Sequence, residues 1–321
     1  MLNEEKKFNK KALVIRDVVD LVIKPSSDEF IRVEQAPKSI KFEESGDSLM
    51  VHGKGNGNNI VISGGGNIIS IGGNSKGKKY SFTNINTTKG VSVITIDGET
   101  IVVRGNNIEV RDNEVYVDGK RYSDPGNTDG KSEEAPEDPR VVLLVPEGIS
   151  VQIENCGEAN MEGHFVFSTW IYHGSGQSEL HADTIKASGA HLHLTGQSES
   201  KIQKLIVSTL VVGVSDQANG NFNNFETATV NISVAETGEL TLGSLKSETA
   251  LISAAGQGEI AINKGENDSS TLTASGQGEI TLRGTLERVV ASASGQSEIR
   301  FSKPLQTPVI STSGQGEVRV L

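Results

Sequence analysis

The feature that most constrains this chain is a repeat. "AAGQGEI" at 254–260 recurs as "ASGQGEI" at 274–280, "ASGQSEI" at 293–299 and "TSGQGEV" at 312–318. Aligning the central glutamines gives Gln177, Gln197, Gln217, Gln257, Gln277, Gln296 and Gln315, spaced by 20, 20, 40, 20, 19 and 19 residues. The gap of 40 contains one degenerate copy, "VAETGELTL", with Thr237 at the glutamine position. That makes eight copies, and a fixed period near 20 residues is the mark of a solenoid. A propeller blade needs about 40 residues, and a leucine-rich repeat carries a Leu/Asn signature that these copies lack.

The columns of the alignment separate strand from helix. One apolar column reads Leu180, Ser200, Gly220, Leu240, Ile260, Ile280, Ile299 and Val318. A second, two places on, reads Ala182, Ile202, Phe222, Leu242, Ile262, Leu282, Phe301 and Val320. Between them lie His181, Lys201, Asn221, Thr241, Ala261, Thr281, Arg300 and Arg319. This is period 2, the pattern of a strand with one buried face. Upstream of the glutamine the columns headed by Tyr172 and Gly174 repeat the pattern, and Ile185, Leu205, Phe225 and Leu245 add a third apolar position. Each repeat therefore reads as a coil of about three short strands around an apolar centre. Parallel coils stack about 4.8 Å apart, so eight rise roughly 38 Å. The fold class is all-β: a parallel β-solenoid of about eight coils of some 20 residues, preceded by a strand-rich part. In the motif itself, the glycines on both sides of Gln suit positive φ at a sharp corner. The glutamines of successive coils can stack amide on amide.

The first half differs. "ALVIRDVVDLVIKP", "FIRVEQA", "IKFEES" and "SLMVHG" read as strands between residues 12 and 53. "GKGNGNNIVISGGGNIISIGGNSKGKK" is Gly- and Asn-rich and reads as a loop or a loose sheet. In the alternating stretch 91–122, Asp97-Gly98, Asn106-Asn107, Asp112-Asn113 and Asp118-Gly119 are hairpin turn pairs. "SDPGNTDGKSEEAPEDPR", 123–140, is an acidic Pro/Gly-rich stretch with the composition of a disordered linker. The expected organisation is one solenoid domain from 10–53 and 139–321, interrupted by a β-rich insertion at 54–122 and the linker at 123–140.

Composition limits the function. The net charge of −11 disfavours nucleic acid and anionic lipid as nonspecific partners. One cysteine, Cys156, excludes an intrachain disulfide and a cysteine-based zinc site, and in its Gly-rich setting it reads as an inert thiol. No run of 18 apolar residues occurs, so no membrane insertion is expected. The N-terminal "MLNEEKKFNKKALVIRDVVDLVIKP" reads as strands rather than as a signal peptide, because Asp17 and Asp20 break its apolar stretch.

Three stretches carry a resemblance to a known family. They are "VVDLVIKPSSDEFIRVEQ", "VVLLVPEGISVQIENCGEANMEG" and the serial "SGQGEI" coils. Over 10–53 and 139–321 the chain resembles the family of the "putative autotransporter adhesin, head GIN domain". The resemblance implies a bacterial parallel β-solenoid, an exported or cell-surface location and no catalytic residues. The function it implies is noncatalytic binding, adhesion or scaffolding, with a glycan or protein surface as ligand. The alternative class is a carbohydrate-active β-helix enzyme of lyase or hydrolase type, which would require a groove with converging His, Lys or Arg.

Two sets of side chains are candidates for binding. Glu179, Glu199, Glu239, Glu259, Glu279, Glu298 and Glu317 form one column, broken at Asn219. Like charges about 5 Å apart repel by about 0.8 kcal/mol even at the dielectric of water, and a bound cation would relieve that. Calcium is the candidate cofactor, although the Asp-rich nonapeptide repeats of calcium solenoids are absent; the plainer reading is a solvated corner. His173 and His193 share an alignment position, with His191 two residues away, and form a candidate metal cluster. Later coils place Ser or Thr there, which fits an ordinary polar ladder. The last coil, "GQGEVRVL", carries core-type residues at Val318 and Val320, a surface for self-association through the C-terminal coil.

Overall fold

The computed structural model describes residues 6–53 and 140–321, and between them the backbone of eight strands within 60–121. The described residues contain no helix. By proximity the chain divides into two units, Met1–His52 with Pro139–Leu321, and Gly53–Asp138.

The first unit is a parallel β-solenoid. Its regular coils are the runs Glu179–Leu194, Glu199–Val214, Asn219–Val234, Glu239–Ala254, Glu259–Ala274 and Glu279–Gly295. They pair in parallel and in register, so that Leu180, Ser200, Gly220, Leu240, Ile260 and Ile280 stand one above another. Within a coil, buried positions alternate and are then re-phased by outward doublets. In the coil that starts at Glu179, residues 180, 182, 185, 187, 190, 192, 194 and 198 are buried, while 183–184 and 188–189 both face outward. Unbroken alternation would make a flat strand; the doublets bend it into three faces. Only eight positions in 20 need burial, and Ser, Ala and Gly fill some of them. That is how a chain with 35% apolar residues closes a continuous core. Each Leu, Ile or Phe sealed in it contributes about 1.5–3 kcal/mol.

The change of period from 20 to 19 is located at one corner. Ile262 pairs with Leu282, but Gly265 pairs with Gly284. The outward doublet Asn263–Lys264 is thus answered by Arg283 alone.

The motif glycines have two different roles, only one of which matches the expectation of positive φ on both sides of Gln. The glycine before Gln does adopt it, with φ of 66° at Gly176, 68° at Gly256 and 77° at Gly295. The glycine after Gln does not. It is buried, and a Cβ there would lie 2.6 Å from the Ala254 carbonyl oxygen at Gly278 and 2.9 Å from that of Val234 at Gly258. That site demands smallness, and Ser198, Ala218 and Ser297 meet the demand in other coils.

The solenoid begins with two separate pieces of chain. Ala12–Arg16 lies in parallel between Ser48–His52 and Ser150–Glu154. Asp20–Ser26 lies in parallel between Arg140–Pro146 and the start of Glu158–Gly174. Ile31–Gln35 and Lys41–Ser45 add antiparallel pairings. The linker expected over 123–140 lies outside the described residues except for Arg140. That residue opens a strand and pairs with Asp20 at 2.9 Å.

In the second unit, strands flank three of the four turn pairs antiparallel: Val91–Ile96 with Glu99–Arg104, Asn107–Arg111 with Glu114–Val117, and Glu114–Val117 with Lys120–Arg121. Asn106-Asn107 is different. It leads from a three-stranded sheet into a five-stranded one, where Asn107–Arg111 pairs in parallel with Asn67–Gly72. The Gly/Asn-rich stretch contains an antiparallel pair, Ile60–Gly64 with Asn67–Gly72.

Candidate functional site

The repeated motif builds one polar edge of the solenoid. At each corner the backbone N–H of Gln donates to the carbonyl two residues into the previous corner, as from Gln277 to Gly256 and from Gln315 to Gly295. This fixes the side chains one coil apart. The amides then bond in series: Gln257 Nε2 donates to Gln277 Oε1 at 3.0 Å, Gln277 to Gln296 at 3.1 Å and Gln296 to Gln315 at 3.2 Å. A separate pair joins Gln197 to Gln217 at 3.2 Å. Thr237 interrupts the series and turns its hydroxyl to the Asp216 carbonyl. At that interruption two acidic residues replace the positive-φ glycine, Asp216 and Glu236, each with φ of 59°. A hydrogen bond to Asp216 and its charge push the Glu236 carboxyl above its ordinary value.

The glutamate column runs beside this edge. Glu158, Glu179, Glu199, Asn219, Glu239, Glu259, Glu279, Glu298 and Glu317 stand in register. Cations two residues along the same face pair with two stretches of it. Lys201 lies 3.7 Å from both Glu179 and Glu199. Arg319 bonds Glu317 at 2.6 Å and reaches Glu298 at 3.5 Å, and Arg300 pairs with Glu298. The hydrogen bond from Arg319 holds the Glu317 carboxyl below its usual range. Glu239 and Glu259 have Thr241 and Ala261 at the corresponding position. The column is therefore ion-paired at Glu179 and Glu199 and again from Glu279 to Glu317, while Glu239 and Glu259 form no ion pair among the described residues and Glu239 accepts from Asn219 at 3.4 Å.

The three histidines fall on another face. His173 pairs in register with His193, and their rings meet edge to face with centroids 6.0 Å apart. His173 Nδ1 is 3.9 Å from Glu154, which is itself held by Arg16 at 2.6 Å. Burial lowers the His173 pKa; Glu154 opposes the shift, and His193 and His191 add to it. His191 registers with Val211 rather than with another histidine. Among the described residues no three His, Cys, Asp or Glu side chains are grouped to hold a metal ion. Cys156 is fully buried, and desolvation pushes its thiol up to about 12.

A feature that sequence reading missed lies on the second face of the coils. A groove of ≈ 630 Å³ runs from Ile206 and Val207 across four further coils to Leu305. The residues after Ser247, Asn267 and Leu286 line it: Glu248, Asp268 and Glu287. In the last coil Ile310 and Val320 are each 45% exposed. No helix among the described residues is long and apolar enough to cross a membrane.

Fold and edge together define a repetitive parallel β-solenoid with an amide-laddered corner. Residues 221–321 match the model of a family described as "Putative auto-transporter adhesin, head GIN domain", which bears out the resemblance read from the repeats. No curated protein matches the sequence. Similar solved structures include a "putative lipid binding protein from Parabacteroides distasonis ATCC 8503", 14% identical with a TM-score of 0.43, the match covering 99% of this chain and 96% of that one. Another is a "putative adhesin from Parabacteroides merdae ATCC 43184", 13% identical with a TM-score of 0.46, covering 99% and 95%.

Proposed function

We propose that the chain is a noncatalytic binding protein of the bacterial cell exterior, whose solenoid edge presents repeated amides and carboxylates to a glycan or protein surface. The observation that supports this reading is the Gln257–Gln277–Gln296–Gln315 ladder, three amide hydrogen bonds in series beside the glutamate column. Such an edge offers the same donors and acceptors once per coil, which suits a ligand that is itself repetitive. The exterior location rests on the family match of residues 221–321. The groove from Ile206 to Leu305 does not support the carbohydrate-active enzyme: it is lined by carboxylates and Lys246, not by converging basic side chains.

The test is a glycan array probed with the intact protein, with and without calcium. The reading expects a family of related glycans to be retained, and Gln277→Ala with Gln296→Ala to weaken them together. A calcium requirement would assign the cation to Glu239 and Glu259, where no basic residue stands at the neighbouring position. Hydrolysis or elimination of an arrayed glycan would overturn the noncatalytic reading.

A further inference from the structure

The groove on the second face differs from the laddered edge in chemistry. Its walls at the two ends are apolar, Ile206 and Val207 at one and Leu305 at the other, and Leu305 is 77% exposed. Its acidic residues fall into two sets. Glu226 and Glu266 have lysine partners, Lys204 at 3.1 Å and Lys264 at 3.5 Å. Glu248, Asp268 and Glu287 occupy one place on three successive coils, so their carboxylates follow each other at about 4.8 Å. Glu287 accepts a neutral hydrogen bond from Gln306 at 3.1 Å, and neither Glu248 nor Asp268 forms an ion pair among the described residues. The same place holds Ser188, Ser208 and Ala228 in earlier coils, so the row of charge is confined to the groove.

We infer that this groove is a docking surface for an extended cationic peptide segment in which Lys or Arg alternates with small apolar residues. Three properties select that occupant. Carboxylates in a row, outnumbering the one lysine of the groove lining, Lys246, attract a line of positive charge, and charge complementarity sets both partner choice and the rate of encounter. The row spans two coil spacings, about 10 Å, and an extended peptide presents same-side residues about 7 Å apart, so two or three flexible cations reach it. Lysine and arginine stems are apolar to their tips and can lie along Ile206, Val207 and Leu305 while their charges meet the carboxylates. This surface lies on a different face from the glutamine ladder and does not depend on glycan binding there.

The experiment uses the full chain and a fluorescein-labelled octapeptide of alternating lysine and alanine, read by fluorescence anisotropy at low and at physiological salt. A glutamate–alanine octapeptide is the control ligand. The expected result is binding of the lysine peptide alone, weakened at least tenfold by the triple variant Glu248→Gln, Asp268→Asn, Glu287→Gln. The triple variant Glu239→Gln, Glu259→Gln, Glu279→Gln removes the same charge from the other face and should bind within twofold of the parent. Circular dichroism and thermal midpoints confirm that both variants are folded, and Ala228→Arg, a cation placed in the groove, provides an independent block. Equal loss in both triple variants would mean nonspecific attraction to net charge, and absence of binding by the parent would mean no peptide site; each overturns the inference. So would a change of sedimentation coefficient in the groove variant alone, because the occupant would then be a second copy of the chain.

Discussion

Gly284 stands so close beneath Gly265 that a Cβ on Gly284 would lie 2.1 Å from the Gly265 carbonyl oxygen. Gly284 also holds φ at 132°, a region closed to residues with a side chain. Both facts follow from the shortened corner, where one residue spans what two span in earlier coils. Gly284→Ala therefore meets a backbone clash and backbone strain together, and should destabilise the solenoid by about 3 kcal/mol. Gly189→Ala is the control. Its added methyl finds its nearest neighbour at 3.9 Å, and its φ is ordinary. That change should shift stability by no more than about 0.5–1 kcal/mol, toward greater stability, by restricting the unfolded chain. Urea midpoints of the two variants test the pair.

The glutamine ladder stops at Thr237 because a hydroxyl cannot reach the amides of Gln217 and Gln257. Thr237→Gln would supply one donor and one acceptor to close the gap, at the loss of one hydroxyl bond to Asp216. The expected gain is about 0.5–1 kcal/mol, seen as a higher thermal midpoint. Gln277→Ala, which removes the bonds on both of its sides, should lower the midpoint by a comparable or greater amount.

These corners also show what was legible in the sequence. Columns filled by Leu, Ile, Val and Phe, such as Leu240, Ile260 and Ile280, announced the strand faces because period 2 survives translation from coil to coil. The column of Ala187, Val207, Thr227, Ser247, Asn267 and Leu286 is just as buried for most of its length, but its polar members hid it. The column of Trp170, Ala190, Leu210, Val230, Ala250 and Ser270 varies too widely in size to read as one position. Without these two columns the outward doublets, and so the three faces, could not be placed. The acidic row of the groove was missed for a related reason: Glu248, Asp268 and Glu287 follow Ser188, Ser208 and Ala228, and a row that begins midway has no period of its own. The glutamate column was visible, but its neutralisation by Lys201, Arg300 and Arg319 depends on side-chain reach rather than on spacing.

Stability should fall on mild acidification through His173. Its folded pKa is depressed from 6.5, chiefly by burial. The unfolded chain then binds more protons below that value, so this contribution is fully present above pH 6.5 and is lost as pH falls through the lowered folded pKa. The facing histidines, His193 and His191, favour the neutral ring, while Glu154 favours the charged one. His173→Asn should flatten the dependence of the urea midpoint on pH between 7.5 and 5. Glu236 acts in the opposite sense over a more acidic range. Its raised carboxyl pKa means that protonation there favours the folded state, and Asp216→Asn should remove that effect.

A polar seam that packing does not require runs through two coils of the interior. Asn267 is 3% exposed and donates to Ser247 Oγ, itself in a residue 5% exposed. Asn267 Oδ1 has no hydrogen-bond partner among the described residues. It is turned toward Gly265, where an added Cβ would lie 2.7 Å away. A buried acceptor left unpaired costs about 1–3 kcal/mol, whereas replacing both members of a buried polar pair by apolar groups of the same shape removes that cost without orphaning a partner. Asn267→Leu alone would leave Ser247 without its donor and should change stability little. Ser247→Val combined with Asn267→Leu should stabilise by about 1–2 kcal/mol, because the seam then joins Leu286 in an apolar run of three coils. A double-mutant cycle on urea midpoints separates the two contributions, and a double variant less stable than either single one would show that the seam is needed for the shape of the shortened corner beside Gly265.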